Sequence, residues 1–245
     1  RDKMRTGNSL GNRLVALALS IIMVLGMLPS QAIALEVTAV AQIGDTPYDS
    51  LAEAVAAAPA GIDQVTTIKL LRDTADAFDV GTSTGSTKKN LKLDLNGKTL
   101  TLSPSVGSVG TKSNGIRVLA YSKLEIVNGD LVCSSAAEDN VKVGIANYGS
   151  LTLTDVDVKK GDLTIYTINN RGALTLNGKT TVESGSTCAI TNDPYDLYYT
   201  TDVNASVTCN SSEVVVDSML VERYERNSAN QGGVELNISA GYFGK

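Results

Sequence analysis

The chain has 245 residues, no histidine, no tryptophan and a formal net charge of −5. Histidine is the commonest general base and the commonest metal ligand, so any catalysis would have to use carboxylates, Lys, Tyr, Ser or Cys, and we predict neither a metal nor a cofactor. The acidic balance argues against nucleic acids as partners, because nucleic acids bind basic patches.

The first predicted element is a secretory signal peptide with a short extension, over residues 1–41. Basic residues flank the start of an apolar run at residues 14–29, which is shorter than the roughly 20 residues that span a bilayer. Small-residue patterns end at Ala34 and Ala41, so we expect cleavage after one of them. Cleavage after Ala34 removes four basic residues and one acidic residue and leaves a formal charge of −8. The mature chain is then secreted or surface-displayed and has no membrane span; the alternative is an uncleaved N-terminal anchor.

Residues 42–80 are predicted to form an N-terminal cap. The sequence SLAE at residues 50–53 is a capping box, in which Ser and Glu side chains satisfy backbone N–H groups at the start of a helix. The alanine-rich residues 51–58 favour that helix, and Pro59 ends it. Because so short a helix is marginal alone, it must pack on an apolar surface. A strand follows at residues 66–71.

Residues 81–245 show short strands separated by polar corners. In LKLDLNGKTLTL, residues 91–102, leucines alternate on one face and change phase at Asn96-Gly97. The same change recurs at three later corners: Asn128-Gly129, Thr154-Asp155 and Asn177-Gly178. An Asn-Gly between alternating strands is typical of an antiparallel hairpin, whereas in a solenoid the same corner joins two faces of one coil.

The longer period of the pattern favours the solenoid. We take as equivalent six residues at intervals of 24, 27, 23, 33 and 27: Leu100, Leu124, Leu151, Leu174, Val207 and Val234. A coil of about 22 to 30 residues with loops of variable length fits a three-faced solenoid.

A second register of the repeat contains asparagine, at Asn147, Asn170 and Asn192. Asparagine tolerates the left-handed backbone of a tight corner, and we expect these residues to adopt it. In coils about 4.8 Å apart, their side chains can also bond to one another and form a structural ladder. The alternative is that asparagine, which is common in turns, recurs there by chance.

Three segments carry a resemblance to a known family: IGDTPYDSLAEAVAAAPAG, LKLDLNGKTLTL and GIANYGSLTLTDVDV. With the closing VELNISAGYFGK, they resemble secreted surface proteins of Gram-positive gut and oral bacteria. The resemblance spans residues 42–245 and implies an all-β fold, a right-handed single-stranded parallel β-helix of the pectate-lyase-like type with a short N-terminal capping helix. It implies no single activity, because such scaffolds host lyases, hydrolases, adhesins and inert stalks. The pectin hydrolases of this fold use a His-containing motif, which this chain lacks.

The best candidate carboxylate pair is Asp155 and Asp157. Two residues apart on a strand, both side chains are expected on the same face, with Val156 and Val158 inward. Such a pair suits acid–base chemistry on a glycoside or a calcium site. The alternative is a solvated outer face without a catalytic role.

The stretch NDPYDLYYTTD, residues 192–202, interrupts the rhythm of the coils. Tyr195, Tyr198 and Tyr199 are the candidate ligand-binding residues, because tyrosine suits stacking on a sugar or anchoring a protein partner. The aspartates around them favour a neutral sugar or a basic protein surface over an acidic polysaccharide. The alternative is that the tyrosines pack this loop onto its own scaffold.

The three cysteines, Cys133, Cys188 and Cys209, are an odd number without metal-ligand spacing. We interpret them as small buried apolar residues; the alternative is one disulfide and a free thiol. Residues before Lys245 read as a strand without a cap, so we expect further coils or domains to follow in a longer parent protein.

These features predict an exported, adhesin-like β-helix module that has a binding or structural role at a bacterial cell surface and no catalytic activity. Its expected partners are carbohydrates or host or bacterial surface proteins. The alternative function is a carbohydrate-active enzyme, a polysaccharide lyase or glycosidase, on the same scaffold.

Overall fold

The computed structural model describes residues 38–82, 84–108, 112–193, 205–221 and 233–244. From Ala39 onward these residues belong to one compact unit. They form twenty β-strands, one α-helix, α1 (Leu51–Ala57), and one turn of 3-10 helix at Ala137–Asp139. The described part of the chain is therefore all-β apart from two short helices, which confirms the all-β part of the predicted fold class.

The strands lie on three faces, after an opening hairpin of β1 (Ala41–Ile43) and β2 (Thr46–Tyr48). Face 1 contains β3 (Thr66–Leu70), β6 (Asn90–Asp94), the first half of β9 (Lys123–Cys133), the first half of β11 (Ser150–Lys159), β13 (Ala173–Asn177), β16 (Ala205–Cys209) and β19 (Val234–Ile238). Face 2 contains β4 (Thr74–Asp76), β7 (Thr99–Leu102), the second halves of β9 and β11, β14 (Thr181–Val182), β17 (Val215–Val216) and β20 (Tyr242–Phe243). Face 3 contains β5 (Phe78–Val80), β8 (Asn114–Val118), β10 (Val143–Asn147), β12 (Tyr166–Asn170), β15 (Cys188–Asn192) and β18 (Met219–Val221).

The chain visits faces 1, 2 and 3 in turn and repeats this circuit about six times. Strands of successive coils pair in parallel on every face, as β11 does with β9 and β13, and β10 with β8 and β12. The molecule is therefore a parallel β-solenoid, and the Asn-Gly corners join faces of one coil. Among the described strands, antiparallel ladders occur only where β1 meets β2 and β3.

Stacking places the apolar residues in columns, and two of the predicted equivalences are wrong. Leu124 pairs with Leu91, and not with Leu100, which pairs with Leu131 on face 2. Val207 likewise pairs with Leu236, and not with Val234. Loops of different length leave each coil, so equal sequence spacing does not identify the leucines that stack.

The phase change at the corner between faces 1 and 2 has a local cause. Asn96, Asn128, Asp155 and Gly178 have φ values of 54°, 61°, 56° and 57°, so a left-handed residue lies at this corner in four successive coils. Asparagine, aspartate and glycine accept this conformation most readily, which explains the composition of these corners.

The asparagines of the ladder do not share this backbone conformation. Asn147, Asn170 and Asn192 each end a face-3 strand, and none is among the described residues with positive φ. The prediction that they adopt the left-handed conformation is therefore wrong. The four left-handed residues of the Asn-Gly type lie at the corner between faces 1 and 2, and not at the positions of these asparagines.

Helix α1 begins at the predicted capping residue. Ser50 is extended, with φ of −142°, and its Oγ accepts a hydrogen bond from the N–H of Glu53 at 3.1 Å. Leu51, Ala54 and Val55 are buried against the first strands of the solenoid. The helix ends at Ala57, one residue earlier than predicted, because Ala58 leaves the helical conformation before Pro59.

No helix within the described ranges is long and apolar enough to cross a membrane.

Candidate functional site

A continuous chain of amide hydrogen bonds runs along the corner between faces 3 and 1, which we call the ladder corner. The side chains of Asn147, Asn170 and Asn192 are all fully buried there. Asn147 Nδ2 donates to Asn170 Oδ1 at 2.9 Å, and Asn170 Nδ2 donates to Asn192 Oδ1 at 2.9 Å. Valines occupy the same column in the coils before and after, at Val118 and Val221.

Each of these amides also satisfies a backbone group of the turn. Asn147 Nδ2 donates to the carbonyl of Ala173 at 2.9 Å, and Asn147 Oδ1 accepts from the N–H of Gly149 at 3.1 Å. Asn170 repeats the first contact with the carbonyl of Ser206 at 3.0 Å. Buried backbone groups need such partners, so these three side chains hold the coils together.

The glycine that follows each of the first two asparagines is required by the stacking distance. A Cβ at Gly149 would collide with the carbonyl oxygen of Ser122, and a Cβ at Gly172 would collide with the carbonyl oxygen of Gly149. The repeated sequence Asn-x-Gly therefore combines one side chain that bonds across coils with one position that has no room for a side chain.

The carboxylate pair lies on the outer surface at the corner between faces 1 and 2. Asp155 is exposed and left-handed, and its Oδ1 accepts from the N–H of Lys179 at 2.8 Å. Asp157 is half-buried, and its Oδ1 accepts from Thr181 Oγ1 at 2.6 Å. Both carboxylates thus contact the next coil. The positive φ of Asp155 interrupts its own strand, β11, at this corner.

Nearby charges are also paired between coils. Lys159 Nζ lies 3.0 Å from Asp130 Oδ1 in the preceding coil. This hydrogen bond raises the pKa of Lys159 above its ordinary value. The row of charges on face 2 therefore supports the stack of coils.

The candidate tyrosines Tyr195, Tyr198 and Tyr199 lie outside the described residues, as do residues 1–37 of the predicted signal peptide and extension; Ala41, at the end of that segment, begins β1. Asp193, near the start of the tyrosine stretch, forms an ion pair with Arg171, Nη2 to Oδ2 2.7 Å. The Arg171 guanidinium also lies 5.6 Å from the centroid of the Tyr148 ring. The ladder corner thus carries a row of aromatic and charged side chains on its outer side.

The three cysteines, all of them among the described residues, are buried, and no disulfide joins any two of them. Burial raises the pKa of the Cys133 thiol to about 11. A thiol that keeps its proton is a poor nucleophile, so Cys133 has the properties of a core residue.

Two features near the ladder corner were not predicted from the sequence patterns. Tyr121 is 60% exposed at the ladder corner, and Lys88 Nζ lies 4.8 Å from the centroid of its ring. Lys89 is buried, with Nζ donating to carbonyls at the end of α1, and burial lowers its pKa. Both features depend on which loops become neighbours in the stack, which no local motif reveals.

Across the described ranges, no three side chains among His, Cys, Asp and Glu come together as a metal site would require. Comparisons with protein-family models, with curated proteins and with solved structures found no match. The fold therefore defines the class, a parallel β-solenoid, and the function must be argued from this chain's own residues.

Proposed function

We propose that this chain is an exported, adhesin-like module with a binding or structural role at a bacterial cell surface, and that it carries out no catalysis. In this proposal the solenoid is a right-handed, pectate-lyase-like β-helix, residues 1–41 direct export, and the partners are carbohydrates or surface proteins. The resemblance of residues 42–245 to secreted surface proteins supports the export and the bacterial origin.

One observation carries the non-catalytic part of the proposal. The best carboxylate pair in the sequence, Asp155 and Asp157, accepts hydrogen bonds from Lys179 and Thr181 of the next coil. Oδ1 of each carboxylate thus bonds to the next coil, as a group that holds the stack together would. The pair therefore has a structural use that accounts for its position.

The regular stack of coils in the solenoid supports a role in display. A solenoid presents side chains in straight rows, one per coil and about 4.8 Å apart, on a rigid scaffold. Such rows suit contact with an extended partner such as a polysaccharide or a long protein surface.

The first test separates binding from catalysis. The chain from Leu35 onward is mixed with neutral and acidic polysaccharides, with and without calcium, and both retention on the polymer and release of products are measured. We expect retention without products. Turnover that Asp155→Asn abolishes would establish the alternative, a lyase or glycosidase, and reject the proposal.

A second test addresses the tyrosine stretch. Replacing Tyr195, Tyr198 and Tyr199 together by Ala should weaken attachment to the retained polymer or surface and leave the melting temperature within about a degree or two, as expected for surface substitutions. A large loss of stability would show instead that these side chains belong to the core. Export is checked separately, by N-terminal sequencing of the secreted chain, which should begin at Leu35 or Gln42.

A further inference from the structure

We propose that Tyr121 is the stacking platform of a binding site for a neutral saccharide on the ladder corner. The proposed site consists of the Tyr121 ring, the Lys88 side chain, and the hydroxyl groups of Thr82, Thr84 and Ser86. This inference rests on the proposed binding function and names a location and a ligand class for it.

The first observation is an insertion that the stacking does not need. In the next two coils, the ladder corner takes two residues, Tyr148-Gly149 and Arg171-Gly172. In the coil of Tyr121 it takes four, residues 119–122, although the flanking backbone still pairs: Tyr148 N–H donates to the carbonyl of Val118 at 2.8 Å, and Ser150 N–H to that of Ser122 at 3.0 Å. Of these four residues, Leu119, Ala120 and Ser122 are buried, and Tyr121 alone is exposed.

The second observation is backbone strain at the inserted tyrosine. Tyr121 has φ of 63°, a left-handed conformation that is disfavoured for a bulky side chain. Because Tyr121 is 60% exposed, little burial offsets this strain. Residues in disfavoured backbone conformations that packing does not stabilise occur preferentially at binding and catalytic sites.

The third observation is the loop against which the ring rests, in the preceding coil, of which residues 81–82 and 84–89 are described. A Cβ added at Gly85 would lie 3.5 Å from Tyr121 Cδ2, so the Gly85 backbone approaches the edge of the ring. Lys88 Nζ lies 4.8 Å from the ring centroid and holds it in place by a cation–π contact. The ring is thus supported on one side by its neighbours.

Three hydroxyl groups of the same loop form a cluster next to Gly85 in the sequence. Thr84 Oγ1 lies 2.8 Å from Ser86 Oγ, and Thr82 Oγ1 lies 3.1 Å from the same oxygen. Thr84 and Ser86 flank Gly85 in the sequence and are exposed. Each hydroxyl is both a donor and an acceptor, so the cluster can exchange hydrogen bonds with the hydroxyl groups of a ligand.

A flat aromatic ring beside hydroxyl groups matches the chemistry of a sugar, which has an apolar C–H face and a hydroxyl rim. The acidic balance of the chain disfavours an acidic polymer at long range. The ammonium group of Lys88 is already placed over the ring, so it is not the main recognition group. A neutral saccharide therefore fits the site better than a uronic acid polymer.

The test uses the chain from Leu35 onward and isothermal titration calorimetry with cellohexaose, xylohexaose, maltohexaose and hexagalacturonate. Tyr121→Gly removes the ring and also relieves the left-handed strain, so it should weaken binding of a neutral hexasaccharide at least about tenfold and keep or raise the melting temperature. Tyr121→Phe should bind within about twofold of the unchanged chain, because it keeps the ring. The matched control is Tyr242→Ala, which removes a tyrosine of similar exposure at the far end and should leave binding unchanged.

Four other results would overturn either the site or its ligand class. Unchanged affinity in Tyr121→Gly rejects the site and leaves the proposed binding function standing. A lower melting temperature in Tyr121→Gly would show that the ring is a packing residue. Binding of hexagalacturonate alone, lost in Lys88→Met, would overturn the neutral ligand class. Failure of the unchanged chain to bind any neutral probe also overturns the site, while the proposed function is decided separately by the polysaccharide retention test.

Discussion

The apolar residues at the two ends of the solenoid differ in how far they are buried. At the N-terminal end, α1 lies over the first coil, and Leu51 and Ala54 are fully buried. At the other end of the described chain, Leu236 continues the column of Leu174 and Val207, yet it is 44% exposed while Val207 is fully buried. Leucine occurs at both ends, so the difference follows from what covers the side chain among the described residues.

This contrast shows how stability is distributed in a stack of coils. An inward-facing leucine in a solenoid is buried by the coils on both sides of it, and its own strand contributes only part of the cover. Val221 and Tyr242 at the far end are also exposed, as expected where each strand pairs on one side only. We therefore expect the N-terminal end to be the more stable and the far end to open first.

The largest expected difference is between Leu51→Ala and Leu236→Ala. Removing the fully buried Leu51 side chain should lower the free energy of unfolding by about 2–5 kcal/mol, because it leaves a cavity beneath α1. Leu236→Ala should cost less than about 1 kcal/mol, because much of that side chain is already in water. Urea denaturation of the two variants measures both values, and equal losses would contradict the comparison.

A substitution in the asparagine ladder tests the middle of the stack, where a further coil lies on each side of the altered residue. Asn170→Ala removes one donor to Asn192, one donor to the Ser206 carbonyl and a buried acceptor, and should cost about 1–3 kcal/mol. Thr175→Ala, on the half-buried outward side of the next strand, should change the free energy of unfolding by less than about 0.5 kcal/mol. Matching melting temperatures for the two variants would show that the ladder contributes nothing to stability.

The attachment of α1 to the solenoid is tested by Lys89→Met. Lys89 Nζ donates to the carbonyls of Val55, Ala56 and Ala58 at 2.5, 3.0 and 2.9 Å. Methionine keeps the buried stem but removes these bonds at the end of the helix, so we expect a loss of about 1–3 kcal/mol.

The matched control for Lys89→Met removes a half-buried lysine on the outer side of face 1. Lys92→Met breaks the surface pair with Glu125 and should cost less than about 1 kcal/mol. Hydrogen exchange should also show faster opening of the α1 amides in Lys89→Met and not in Lys92→Met. Equal protection of α1 in both variants would mean that Lys89 does not hold the helix.

The smallest expected effect is at the start of the same helix. Ser50→Ala removes the side-chain acceptor for the N–H of Glu53 and should cost about 1 kcal/mol. Ser50→Asp should be within a few tenths of a kcal/mol of the unchanged chain, because aspartate caps equally well. If both substitutions cost the same, the cap is not the source of the helix's stability.

Features that depend on adjacent residues could be read from the sequence. The capping box at Ser50 and the stop at Pro59 placed α1 to within one residue, because capping and proline geometry act over a single turn. The recurrence of Asn-Gly and of the longer apolar period indicated a solenoid, because each coil must present similar residues to its neighbours. The left-handed corners at Asn96 and Asn128 belong to the same class of local features.

What the sequence by itself determined about this protein is thus its strands, its corners and the kind of stack they form, because these follow from local backbone preferences and alternation. Only the tertiary structure decided that Leu124 stacks on Leu91, that Leu236 is uncovered, and that the loop of Gly85 and Lys88 lies against Tyr121. One inward leucine looks like another in the sequence, and loops of unequal length decide which residues meet. Contacts between coils are long-range, and they arise when the whole stack minimises exposed apolar surface and unpaired backbone.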